Sequence, residues 1–65
     1  MEEEAWIARE PFGGLFVYTL TKPYQLSDGM WVNDSNTYFG IPEYMFPTVN
    51  KDDKKPTKIK LILEK

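Results

Sequence analysis

The 65-residue chain contains no cysteine and no histidine. Without cysteine there are no disulfide bonds, and without both residue types the usual ligands of a zinc site are missing. A histidine base and a cysteine nucleophile are excluded for the same reason. The packing of apolar side chains must therefore stabilise the fold.

Strong charge and long apolar runs are also missing. Ten acidic residues oppose eight basic ones, a formal net charge of −2, whereas a general nucleic-acid binder carries a basic face. No apolar segment approaches the ~20 residues of a membrane span, and the opening Met1-Glu2-Glu3-Glu4 is acidic where a secretory signal is basic. We expect a soluble cytoplasmic protein with no membrane partner.

Aromatic residues, in contrast, are plentiful, at 15% of the chain. A chain of this length forms a single domain, residues 1–65, and buries only about 60% of the surface that its unfolded form exposes. Each aromatic side chain buries roughly 150 to 250 Å², so a few of them can fill a small core. The predicted core consists of Trp6, Phe16, Tyr18, Trp31, Phe39, Ile41, Phe46, Ile59, Leu61 and Leu63.

Alternation with a period of two predicts a mainly all-β fold. Residues 57–64 place the apolar Ile59, Leu61 and Leu63 on one face and the charged Lys58, Lys60 and Glu64 on the other, which is typical of a half-buried strand. Residues 15–21 are apolar on both faces and predict a central strand. A glycine-containing turn at 11–14 precedes this strand, so residues 5–10 are expected to pair with it as the antiparallel partner of a hairpin. A helix over residues 2–9 is the alternative, because Glu, Ala and Arg favour helix.

Two turn-forming sequences predict a second hairpin. Ser27-Asp28-Gly29 and Asn33-Asp34-Ser35-Asn36 precede the short apolar segments 30–32 and 37–41. We expect these segments to pair with each other. Residues 21–26 before them read as a connection or an irregular edge, because a proline there cannot donate to a sheet ladder.

A single helical turn is expected near the end of the chain. Pro42 suits its first position, residues 43–46 complete it, and Pro47 stops it. The polar loop 50–56 then leads to the last strand. Five short antiparallel strands, with one helical turn before the last, predict a small β-barrel or a bent meander.

The order of these elements resembles an SH3-like barrel. Trp31, followed by Gly40-Ile41-Pro42-Glu43-Tyr44, is similar to the tryptophan and the Ile-Pro-x-x-Tyr turn with which SH3 domains bind proline-rich peptides. Tyr44 follows Pro42 one residue earlier than in that family, which turns a helical side chain by about 100°. The resemblance thus implies the five-stranded SH3-like architecture and not the peptide-binding residues.

A second resemblance extends over residues 22–63, to short uncharacterised proteins of bacteriophages and prophages. The residues that carry it are Lys22-Pro23, Trp31, Ile41-Pro42, Met45-Phe46-Pro47, Val49, Asp52, Pro56 and the strand from Ile59 to Leu63. It implies a phage-derived gene and a bacterial cytoplasmic setting. It also implies that the protein acts by binding a partner.

No residue pattern predicts catalysis, a metal or a cofactor. The carboxylates of Glu2-Glu3-Glu4 lie at one end of the chain, where they are expected to be solvated. Asp28, Asp34 and Asp52 are spaced like turn residues rather than metal ligands. Gly13-Gly14 lacks the Lys-Ser/Thr of a phosphate-binding loop. We expect a protein that is not an enzyme and has no cofactor.

Two kinds of binding remain. The first is protein–protein interaction through an exposed aromatic surface with an acidic rim, formed by Tyr24, Asp28, Tyr38 and Tyr44. The alternative is nucleic-acid binding through the lysines of the last loop and strand, Lys51, Lys54, Lys55, Lys58 and Lys60. That alternative is less favoured, since lysines on an edge strand also prevent sheet aggregation. Pairing of residues 37–41 across a two-fold axis would give a homodimer.

Overall fold

A computed structural model describes residues 2–62, which form six β-strands and no helix. The strands are β1 (Glu2–Arg9), β2 (Leu15–Thr19), β3 (Tyr24–Gln25), β4 (Trp31–Val32), β5 (Tyr38–Ile41) and β6 (Thr57–Ile62). The predicted all-β class is confirmed. Within these residues no helix is long and apolar enough to cross a membrane.

The main sheet has four antiparallel strands in the order β5-β2-β1-β6. Its centre is the predicted hairpin of β1 and β2, in which Ala5 lies opposite Thr19 and Arg9 opposite Leu15. Gly13 closes the hairpin turn with a φ of +100°, a conformation that favours glycine. The alternative of a helix over residues 2–9 is wrong. An extended β1 can bury alternate side chains on both faces of the sheet, whereas a short helix packs mainly one face.

The second hairpin was predicted with the wrong partners. Strand β4 pairs with β3 in a separate two-stranded sheet, and β5 instead joins the edge of β2. The reason lies in the turn between β4 and β5, where the Asn33 side-chain amide donates to the carbonyls of Thr19, Thr21 and Thr37. The Thr37 hydroxyl adds a 2.6 Å bond to the Thr19 carbonyl. These bonds fix the turn to the end of β2, so the chain continues along β2 instead of returning along β4.

The prediction of a five-stranded barrel or meander is therefore too specific. The described residues form six strands in two separate sheets, and the main sheet stays open with β5 and β6 at its edges. It is no meander either, because β1 neighbours β6 and β2 neighbours β5. The extra strand, β3, follows directly on Pro23 in a segment predicted as a connection or an irregular edge.

The predicted helical turn after β5 is replaced by two successive β-turns. Met45 N–H donates to the Pro42 carbonyl at 3.1 Å, and Val49 N–H donates to the Phe46 carbonyl at 2.9 Å. The Arg9 guanidinium lies beneath this segment. Its Nε donates to the Val49 carbonyl at 2.6 Å and its Nη1 to the Glu43 carbonyl at 3.1 Å. Arg9 thus supplies donors for carbonyls that a helix would bond internally.

The main sheet buries apolar side chains on both faces, in two clusters. One cluster consists of Ala5, Ile7, Leu15, Val17 and Val49, with Ile41, Ile59 and Leu61 packed against it. The other, on the opposite face, consists of Ala8, Tyr18 and Trp31, with Phe16 packed against it. The predicted burial of Tyr18 and Trp31 is confirmed, and Trp6 is half-buried.

Two aromatic residues of the predicted core are instead on the surface. Phe39 is 48% exposed and Phe46 is 42% exposed. Val49, whose carbonyl accepts a hydrogen bond from Arg9, is the residue of this segment that joins a buried cluster, in place of Phe46. Leu63 lies outside the described residues.

Candidate functional site

A pocket of about 180 Å³ lies between the main sheet and β4. Its lining is drawn from the turn after β1, from strands β2, β4 and β5, and from the residue before β4, and it is largely aromatic. The lining residues are Glu10, Phe12, Phe16, Tyr18, Met30, Trp31, Val32 and Tyr38. We call this site the Glu10 pocket.

Glu10 lies at the floor of the pocket and is only 3% exposed. It is placed by the hairpin turn, where its N–H donates to the Gly14 carbonyl at 2.8 Å and its own carbonyl accepts from Gly13 N–H at 2.9 Å. Its carboxylate accepts a 2.7 Å hydrogen bond from the Tyr18 hydroxyl and a 3.1 Å bond from Trp31 N–H. A buried carboxylate is costly unless it is hydrogen-bonded, so these two donors make its position possible.

Both donors to Glu10 are electrically neutral. Burial, and next the hydrogen bond to Glu10, raise the pKa of Tyr18 well above its usual value, so Tyr18 keeps its proton at neutral pH. The salt bridge found among residues 2–62 does not involve Glu10; it joins Lys58 Nζ to the Glu4 carboxylate at 3.0 Å. The carboxylate of Glu10 is thus hydrogen-bonded within the described chain but has no cationic partner there.

The walls of the pocket are a continuous series of ring contacts. Phe12 meets Phe16 edge to face at a centroid distance of 6.4 Å, and Phe16 meets Tyr38 in the same manner at 5.9 Å. Tyr38 and Tyr18 then lie 5.6 Å apart. Such separations are those of favourable aromatic pairs. These ring contacts support one another, so the walls of the Glu10 pocket are in place without a bound ligand.

The rim of the pocket is open to solvent, unlike its floor. Phe12 is 65% exposed and Tyr38 is 52% exposed, whereas Trp31 is 5% exposed. The position of Phe12 depends on Gly14, because a Cβ at residue 14 would lie 2.9 Å from Phe12 Cζ and closer still to Cε2. The local sequence Pro11-Phe12-Gly13-Gly14 therefore both turns the chain and leaves room for the outer ring.

The structure does not bring together the four predicted partner-binding residues. Tyr38 lines the Glu10 pocket, but Tyr24, Asp28 and Tyr44 lie outside it. Tyr24 is exposed on β3, and Tyr44 is exposed in the turn after β5. Asp28 accepts a hydrogen bond from Met30 N–H at 3.0 Å, the role expected of a turn aspartate.

The lysines of the nucleic-acid alternative are all exposed. They lie on the loop before β6 and along β6 itself, at Lys51, Lys54, Lys55, Lys58 and Lys60. Lys58 is paired with Glu4, so part of the positive charge on this strand is neutralised. In the part of the chain that the structure covers, no three acidic residues lie close enough to hold a metal ion.

Glu10 and Phe12 are the site residues that sequence reasoning missed. One signal was present: Glu10 continues the alternation of Trp6 and Ala8 and so belongs on a sheet face rather than in solvent. Comparison with protein-family models, curated proteins and solved structures finds no match to the chain. The function is therefore inferred from the chemistry of the site.

Proposed function

We propose that this protein is a non-enzymatic binding module that recognises a protein partner by taking one partner side chain into the Glu10 pocket. The observation that carries the proposal is an exposed aromatic rim above a preformed, buried floor. Aromatic residues and methionine are enriched where protein interfaces are most fully buried. The strongest contacts of such interfaces are commonly single side chains that fill pockets of this kind.

The size of the pocket supports a side chain rather than a free metabolite. Sites for small molecules commonly enclose about 300 to 1,000 Å³. The Glu10 pocket measures about 180 Å³, which suits one amino-acid side chain. The rim around it would then contact the flanking residues of the partner.

Neighbouring residues of β5 provide a matched test. Tyr38 faces the pocket, and the adjacent Phe39 has a similar exposure but lies on the opposite face of the sheet. The immobilised protein is used to capture partners from a bacterial lysate, together with Tyr38→Ala and Phe39→Ala. We expect Tyr38→Ala to lose a partner that Phe39→Ala retains. Equal capture by both variants would contradict the proposal.

Two further variants separate the pocket from the wider aromatic surface predicted from the sequence. Tyr24→Ala and Tyr44→Ala remove exposed tyrosines outside the pocket. If either abolishes capture while Tyr38→Ala does not, the binding face lies elsewhere on the protein. Circular dichroism of each variant ensures that a loss of capture is not a loss of fold.

Nucleic-acid binding stays the second candidate, supported by the exposure of the lysines on the last loop and β6. The logarithm of the binding constant for a single-stranded oligonucleotide should then fall linearly and steeply with the logarithm of the salt concentration. Absence of binding at low salt would remove this candidate.

The biological setting is also a proposal. The resemblance to phage and prophage proteins supports a phage-derived gene in a bacterial cytoplasm, and the genes beside this one would test it. A homodimer through the edge strand β5 is supported by the backbone groups that an edge strand leaves unpaired, and sedimentation would test it.

A further inference from the structure

We infer that the Glu10 pocket takes an ammonium group, presented by a lysine side chain of the partner. The inference rests on the proposed function and adds the chemistry of the group that enters. It starts from a combination that apolar pockets do not need, a carboxylate 3% exposed beneath a cup of aromatic rings.

Charge complementarity is the first argument. Within residues 2–62 Glu10 receives hydrogen bonds only from neutral donors, the Tyr18 hydroxyl and the Trp31 N–H, and no cation of this range forms a salt bridge with it. A cation entering the pocket would meet a charge that is desolvated and unscreened, which strengthens their attraction. An anion would be repelled, and an apolar side chain would leave the carboxylate without a counter-charge.

The aromatic walls are the second argument. The faces of Tyr, Trp and Phe rings attract cations within about 6 Å of the ring centre, and aromatic cages around ammonium groups exploit this attraction. Phe16, Tyr18, Trp31 and Tyr38 all line the pocket. The same rings also accommodate the aliphatic stem of a lysine, since such side chains bury their methylenes and keep only the head charged.

The free hydrogen-bonding capacity of Glu10 selects an ammonium over a guanidinium. A carboxylate offers about four lone-pair positions. Tyr18 contacts Oε1 at 2.7 Å, and Trp31 N–H lies 3.3 Å from Oε1 and 3.1 Å from Oε2. The remaining capacity, on Oε2, suits the point-like ammonium of lysine better than the two-pronged fork of arginine, which needs both oxygens.

The inference is tested with three capped pentapeptides that share the frame Gly-Gly-X-Gly-Gly, in which X is lysine, arginine or norleucine. Norleucine matches the lysine stem without its charge. Binding to the 65-residue protein is followed by the amide chemical shifts of Trp31 and Tyr38 in nuclear magnetic resonance titrations. We expect the lysine peptide to bind at least tenfold more tightly than the norleucine peptide and more tightly than the arginine peptide.

Glu10→Gln then tests the role of the charge, because glutamine keeps an oxygen that can accept from Tyr18 and Trp31. We expect this variant to lose at least tenfold in affinity for the lysine peptide and nothing for norleucine. If it does not fold, Phe12→Ala provides the second variant, since Phe12 is 65% exposed. Phe12→Ala should weaken lysine binding severalfold, whereas the control Phe39→Ala should leave it unchanged.

The possible failures are distinguishable. Equal binding of lysine and norleucine peptides at the pocket would overturn the ammonium inference and leave the proposed side-chain pocket intact. Tighter binding of the arginine peptide would overturn the choice of ammonium over guanidinium. Absence of any shift at Trp31 and Tyr38 with all three peptides would overturn the inference, whereas capture of a partner that depends on Tyr38 would still support the proposed function.

Discussion

Replacement of Arg9 by methionine is expected to remove a large part of this protein's free energy of unfolding. Methionine retains an apolar stem but removes every donor. The guanidinium makes three short bonds, to the carbonyls of Val49 at 2.6 Å, Gly13 at 2.8 Å and Glu43 at 3.1 Å. The first two bonds are partly buried and the third is exposed. At about 1 kcal/mol for each partly buried bond and less for the exposed one, the direct loss is about 2 kcal/mol.

The indirect effect acts through Val49, which is 4% exposed and completes the larger apolar cluster. Full burial of a valine contributes roughly 1.5 kcal/mol or more, and part of this is lost if the segment that carries Val49 loosens. The total, about 3 kcal/mol, compares with a folding stability of roughly 3 to 10 kcal/mol for a chain of this length.

Urea denaturation at neutral pH measures this loss. With a slope near 1 kcal/mol per molar urea, typical of the smallest domains, the midpoint should fall by about 3 M. Arg9→Lys should recover only part of the stability, since one ammonium cannot reach three separate carbonyls. In a double-mutant cycle, Arg9→Met and Val49→Ala should show a coupling energy above about 0.5 kcal/mol. A loss below about 0.5 kcal/mol for Arg9→Met would refute the clamping role of Arg9.

Three further outcomes follow from the same contacts. Phe46→Ala should cost about 1 kcal/mol in urea denaturation rather than the ~3 to 5 kcal/mol of a core phenylalanine, because the side chain is 42% exposed; a loss above 3 kcal/mol would contradict its surface position. Gly14→Ala should displace the Phe12 ring and weaken partner binding as much as Phe12→Ala does, at a cost in stability below about 1 kcal/mol; unchanged binding would refute this. In an ultraviolet pH titration Tyr18 should ionise above the range of an unfolded tyrosine, because its pKa is raised by burial and by Glu10. Its contribution to stability is complete below the pKa of an unfolded tyrosine, about 10, and is lost as the pH rises above that value; Tyr18→Phe should remove this dependence, and ionisation of Tyr18 in the range of an unfolded tyrosine would contradict it.

The elements that could be predicted from the sequence are those specified by short-range patterns. The period of two in β6 places Ile59 and Leu61 on one face, and the glycines at 13 and 14 specify the hairpin between β1 and β2. Strand pairing beyond that hairpin depends on long-range hydrogen bonds. The local sequence identifies Asn33 only as a turn residue. In the structure its side chain donates to the distant Thr19 carbonyl, and this bond positions β5 beside β2.

The candidate site shows the same division. The exposure of Tyr38 could be predicted from the sequence. Its position in the pocket could not, because it depends on the pairing of β5 with β2. Alternation could place Glu10 on a sheet face, but its two hydrogen-bond donors could not be identified from the sequence, because they come from β2 and β4. Too many aromatic residues were also assigned to the core on the basis of the sequence. Both faces of the sheet are covered at its centre, where the small side chains of Ala5 and Ala8 are buried, whereas Phe39 lies exposed on an edge strand.

The most direct test of the central claim is the lysine-peptide titration of the unmodified protein beside Tyr38→Ala and Phe39→Ala. The two substituted residues are adjacent in β5 and lie on opposite faces of the sheet, so the pair compares the pocket with the rest of the surface. We predict that the Trp31 amide shifts on titration in the unmodified protein and in Phe39→Ala, and that Tyr38→Ala weakens the binding at least severalfold. Equal affinity in all three proteins, or shifts confined to residues outside the pocket, would contradict the assignment of the Glu10 pocket as the binding site.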